Sequence, residues 1–136
     1  MDLITGNAAQ AETGGTGWFL SYSPWTRLEG SDLLHVRQHQ PLSGLCAKWY
    51  DHPSGHRSGA DAKPISTGRT ISILISEPGL FLLDFCPSPG FEPHRTRSVR
   101  LERQGDYAAW GEGLHHRWHC HCRATILTLR WCPLEP

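Results

Sequence analysis

The sequence predicts an all-β domain, and three observations predict it. Short apolar runs recur between clusters of Gly, Pro, Ser and Asp. Ile71, Ile73 and Ile75 alternate with Ser72, Leu74 and Ser76. No stretch of ten or more residues carries a 3.6-residue apolar period. A chain of 136 residues has the length of one domain, which buries roughly two-thirds of its unfolded surface in a single core. Many short strands in one domain read as a β-barrel or sandwich.

Taken in order, residues 1–16 are small, polar and rich in Gly, Ala and Thr, with too little apolar surface to offset ordering entropy. They read as a disordered tail, followed by one domain over 17–136. Extended pieces are expected at 17–20 and 33–37, and a strand at 45–52. Residues 53–68, dense in Gly, Ser, Ala and Pro, read as a loop. Residues 69–85 read as a hairpin turning at Glu77-Pro78-Gly79, with Ile71, Ile73 and Ile75 on one arm and Phe81, Leu83 and Phe85 on the other. Three prolines and a glycine make 86–97 a long loop, and strands at 98–101, 107–110, 116–120 and 124–131 complete the set.

Two segments carry the chemistry. Between Gly105 and His116, Gly111 and Gly113 permit a sharp turn, which leaves His116 on a rigid strand end. Upstream, Gly44 is followed after five residues by Tyr50, then His52, then His56 beyond a Pro53-Ser54-Gly55 bend that leaves His56 free to turn in or out. Together these resemble the two motifs of the cupins. The later motif runs Gly, five residues, Pro, one residue, Gly, two residues, His; Gly105, Gly113 and His116 fit it, with Gly111 replacing the proline. The earlier runs Gly, five residues, His, one residue, His, three or four residues, Glu; Gly44 and His52 fit it, while Tyr50 and His56 replace family ligands. The stretches Gly17-Trp18-Phe19, Lys48-Trp49, His52-Pro53-Ser54-Gly55, 72–76, Gln104-Gly105-Asp106-Tyr107 and Leu127-Thr128-Leu129-Arg130-Trp131 are similar to a group of small cupin-like proteins often labelled signal peptidases. No membrane anchor or Ser/Lys nucleophile pair supports that label here.

The resemblance implies a cupin jelly roll, a double-stranded β-helix with its site inside the barrel. It implies a divalent metal on His52, His56 and His116, and three imidazoles around an open position suit zinc, iron, nickel or copper. Three neutral histidines leave the metal's charge undiluted, so a small carboxylate-bearing ligand is expected. Lys48 and Tyr50 share His52's face under strict alternation, and Trp110 closes the strand before the second motif, so these three are expected to line the barrel mouth. No nucleotide cofactor is implied. The other readings are a metal-free ligand-binding or regulatory module and a dimeric interaction protein, since cupins commonly pair through their sheets.

Composition narrows the classes further. Formal charge is zero with neutral histidines, which argues against nucleic acid as a partner. The run Arg95, Arg97, Arg100 and Arg103, interrupted by Glu102, reads as solvated edge charge. No apolar stretch reaches membrane-spanning length and no secretory signal is visible, and the odd set of five cysteines reads as free thiols in a reducing cytoplasm. His115 to Cys122 looks like a second metal cluster, but alternation sends His116, Trp118 and Cys120 to one face and Arg117, His119 and His121 to the other.

Overall fold

The computed structural model describes residue 1 and residues 3–11, 15, 17, 19, 42–58, 69–77, 79–111 and 113–133. Eight strands run through them: β1 (Leu3–Asn7), β2 (Leu42–His52), β3 (Arg69–Leu74), β4 (Leu80–Cys86), β5 (Arg97–Leu101), β6 (Asp106–Trp110), β7 (His115–Cys122) and β8 (Ala124–Pro133). Among the described residues the one helical turn is a 3₁₀ turn at Ala8–Gln10. No helix there is long and apolar enough to cross a membrane.

The strands form a five-stranded sheet in the order β1-β6-β3-β8-β2 and a three-stranded sheet in the order β5-β4-β7. Every pairing is antiparallel. Between the sheets lies the larger core cluster, in which Phe81, Leu83, Phe85, Val99 and Leu101 from one sheet meet Leu74, Ala108, Trp110, Ala124 and Ile126 from the other. This is the sandwich solution, with the inner faces interdigitating.

Two expectations are corrected. Residues 69–85 do not form a hairpin: β3 lies in the middle of the large sheet between β6 and β8, whereas β4 pairs with β5 and β7 in the small one. The chain therefore passes from the large sheet to the small one between Leu74 and Leu80. The tail reading of 1–16 also fails over residues 3–10. β1 is recruited by β6, with Leu3 opposite Trp110 and Asn7 opposite Asp106, and Leu3 is 5% exposed. The Asn7 side chain accepts from Ala9 N and donates to Asp106 Oδ1 and the Gln104 carbonyl. The expected pieces at 17–20 and 33–37 fall almost wholly outside the described residues.

As a central strand, β3 is buried on both faces. Thr70, Ser72 and Leu74 turn inward, and Ile71 and Ile73 join Tyr107, Ala109 and Trp131 in a second cluster on the outer face, where Phe19 stacks on Tyr107 at 5.9 Å. Ile71 is fully buried, so Ile71→Ala should destabilise the fold by about 2–5 kcal/mol. Urea melts check this; a loss below about 0.5 kcal/mol is the range of a surface change and would show that the outer cluster contributes nothing.

Candidate functional site in the barrel

Antiparallel register decides which side chains meet inside. On the inward face of the large sheet, Lys48 of β2 stands opposite Thr128 of β8, which stands opposite Ser72 of β3. The next rung carries Arg130, Thr70 and Trp110 across β8, β3 and β6. Toward the other end come Tyr50 opposite Ile126 and His52 opposite Ala124. From the small sheet, Trp118 and His116 of β7 sit opposite Leu83 and Phe85 of β4. Lys48, His52, Ser72, Trp110, His116, Trp118, Thr128 and Arg130 are among the residues lining one cavity of about 50 Å³. Buried polar groups need partners; Ser72 Oγ and Thr128 Oγ1 share a 2.8 Å hydrogen bond, and Arg130 Nε donates to Thr70 Oγ1 at 3.0 Å.

His56 reaches this site because the chain folds back after β2. His56 N donates to the Pro53 carbonyl, Gly55 takes φ +84°, and residues 55–58 then lie along the outer edge of β7. There Gly55 N donates to the Cys120 carbonyl, Cys120 N to the His56 carbonyl and Ser58 N to the Trp118 carbonyl, while Arg57 bridges His119. The bend thus turns His56 inward. Its Nδ1 comes 3.0 Å from Nδ1 of His52. Around the pair stand Tyr50, with ring centres 4.4 Å from His52 and 5.4 Å from His56, and Trp118, edge-on to both at 4.6 and 4.9 Å. Phe81 packs on His52 from the other sheet at 4.8 Å.

His52 is only 4% exposed. Burial, with help from the neighbouring His56 and Lys48 and against a weaker opposing pull from Asp51, lowers its pKa from 6.5 to about 4. The ring is therefore neutral at physiological pH, the state that binds a metal. Two metal–nitrogen bonds of about 2.1 Å hold their donors about 3.0 Å apart at a right angle and about 3.4 Å apart at zinc's tetrahedral angle, so the observed 3.0 Å suits two ligands of one octahedral or square-planar ion and is short for tetrahedral zinc. It equally suits an N–H···N hydrogen bond between rings of opposite tautomer.

The expected ligand set is only partly brought together. His52 and His56 converge, but no group of three His, Cys, Asp or Glu side chains able to hold one ion exists among the described residues. His116 lines the same cavity further along, beside Trp110 at 5.3 Å and Phe85 at 6.4 Å. The nearer inward position of β7 belongs to Trp118. Lys48 and Trp110 line the cavity, whereas Tyr50 covers the histidine pair and is 42% exposed.

No protein-family model matches this chain, and no curated protein sequence does. Solved structures resemble it in fold. HEPD from Streptomyces albus, solved with 2-hydroxyethylphosphonate and Fe(II) bound, superposes with a TM-score of 0.51 at 15% identity, over 65% of this chain and 18% of that one. The WlaRB TDP-quinovose 3,4-ketoisomerase from Campylobacter jejuni gives 0.48 at 11% identity, over 67% and 64%. A cupin domain from Bordetella pertussis Tohama I gives 0.42 at 10% identity, over 68% and 90%. The fold is that of a cupin.

Within the cupin barrel, sequence reasoning missed Ser72, Thr128, Arg130 and Trp118. Ser72 alternates with isoleucines and looks like a solvent-facing residue, and Arg130 sits in an apolar strand. The available signal was the pair of polar residues at the same parity, Thr128 and Arg130 in β8.

Because unfolded His52 takes up a proton near pH 6.5 and folded His52 only near 4, acidification between those values favours unfolding. Stability from this group is full above about pH 6.5, falls as pH drops toward about 4 and then levels off. In metal-free buffer, His52→Phe should therefore flatten the decline of the urea midpoint over that interval. An unchanged slope would mean the ring titrates as it does in the unfolded chain.

Proposed function

We propose that this protein is a small-molecule-binding cupin that docks one divalent transition metal on His52 and His56 and takes a small carboxylate-bearing ligand beside it. The observation that carries the reading is the 3.0 Å Nδ1–Nδ1 separation at a cavity lined by Lys48 and Arg130 and, among the described residues, by no Asp or Glu. Zinc, iron and nickel all accept imidazole pairs, and HEPD, whose fold is similar, is described with Fe(II) bound. The metal would act as a Lewis acid toward a ligand oxygen.

The chain's own residues do the rest. Tyr50 and Trp118 wall the two rings and fix their planes. Phe81 keeps water from the buried face of His52. His116, further along the cavity, faces the ligand as a donor or acceptor.

A second reading has a specific observation behind it: the same pair is within N–H···N hydrogen-bond distance and no third ligand joins it, as in a metal-free binding module. Metal retention separates the two. Tag-free protein incubated with Zn²⁺, Ni²⁺ or Fe²⁺ and desalted should keep one ion per chain, and His56→Ala should weaken binding at least about tenfold, the scale of losing a ligand or its support. Retention that survives both His52→Ala and His56→Ala, or no stoichiometric retention at all, rejects the metal reading.

A further inference from the structure

We infer a carboxylate-binding subsite at the Arg130 end of the cavity, built from Arg130, Lys48 and the Trp110 indole and separate from the histidine pair. It shares the cavity with the proposed function but needs no metal.

Three observations converge there. First, among the described residues the wall holds Lys48 and Arg130 and no carboxylate to neutralise them. Among the described residues the ion pairs are Arg100 with Glu102 and Arg117 with Asp84, both elsewhere. Asp51, adjacent to His52 in sequence, has its Oδ1 taken by Thr125 Oγ1 at 2.6 Å. Second, Arg130 is oriented without being neutralised. Its Nε is fixed on Thr70 Oγ1, which leaves the terminal guanidinium nitrogens to serve an acceptor. A guanidinium offers donors in a planar fork that matches a carboxylate. Third, Trp110 is 2% exposed, lines the cavity, and its Nε1–H has no hydrogen-bond partner among the described residues. A buried N–H left unpaired is costly and marks the place of an acceptor that the chain itself does not supply.

The register places these groups together. Arg130 and Trp110 flank Thr70 on one rung, and Lys48 lies on the next, opposite Thr128. The cavity is small, about 50 Å³, so it receives the acid group while a longer body extends out past Lys48 or toward the histidines.

The test uses metal-free, EDTA-treated full chain titrated with acetate, pyruvate and inorganic phosphate, followed by the indole N–H resonances in ¹⁵N spectra. Trp110→Phe identifies the Trp110 signal. Acetate or pyruvate should shift that signal saturably, and Arg130→Gln should weaken the dissociation constant at least tenfold while amide dispersion stays native. Lys48→Gln gives a second variant on the exposed rim, with a loss of several fold. An unmoved Trp110 signal, or an Arg130→Gln affinity equal to that of the wild type, overturns the subsite. Phosphate binding as tightly as the acids with the same shift overturns the carboxylate class. Zn²⁺ binding with no carboxylate response fails this inference and leaves only the metal site of the proposed function standing; a carboxylate response with no metal binding keeps the subsite and removes that metal site.

Discussion

Alternation in a fixed antiparallel register is the constraint on which this protein depends. β8 is held on one side by β2 and on the other by β3, and a slip of one residue in either pairing would send every inward side chain out. Both faces resist that slip. The inward face needs Leu74, Ala124 and Ile126 in the core between the sheets, and the outward face needs Ile71, Ile73 and Trp131 in the second cluster. With apolar demand on both sides, Thr70, Ser72 and Thr128 have no alternative to the inward face, and Arg130 shares their parity at its exposed end. Their hydroxyls are tolerated there because each has a partner within 3.0 Å.

The histidine pair depends on the same lattice at one remove. β7 offers a free edge, and the chain leaving β2 uses it. Gly55 adopts a left-handed φ that a side chain would strain, and the returning strip from 55 to 58 satisfies backbone groups of Cys120 and Trp118. His56 is thereby delivered to His52 by backbone hydrogen bonds. The aromatic rings around His52 and its burial disfavour a positive charge on that ring.

The sequence made much of this legible where local chemistry decides it. Strands β2, β5, β6, β7 and β8 follow from short runs between turn residues, and of the two glycines read as turn formers, Gly113 takes a positive φ while Gly111 does not. The inward positions of His52, Lys48 and Trp110 follow from period two. What could not be read depends on partners far along the chain. Three of the five residues of β1 are polar or small, and it becomes a strand because β6 offers an edge. The 69–85 segment looks like a hairpin because a central strand covered on both faces and a two-faced hairpin arm share one apolar pattern. Ser72 and Arg130 could be placed only once the two sheets were set against each other, and the separation of His116 from the pair depends on Trp118 holding the nearer inward position.

The most direct measurement is the tautomeric state of His52 and His56 from ¹⁵N imidazole spectra of the metal-free protein. A hydrogen-bonded pair predicts opposite tautomers, one ring carrying its proton on Nδ1 and the other on Nε2, with His52 still neutral at pH 5 and both Nδ1 resonances moving together when Zn²⁺ is added. Two rings in the same Nε2–H tautomer, with His52 protonating near pH 6.5 and the two rings responding to Zn²⁺ independently, would contradict it.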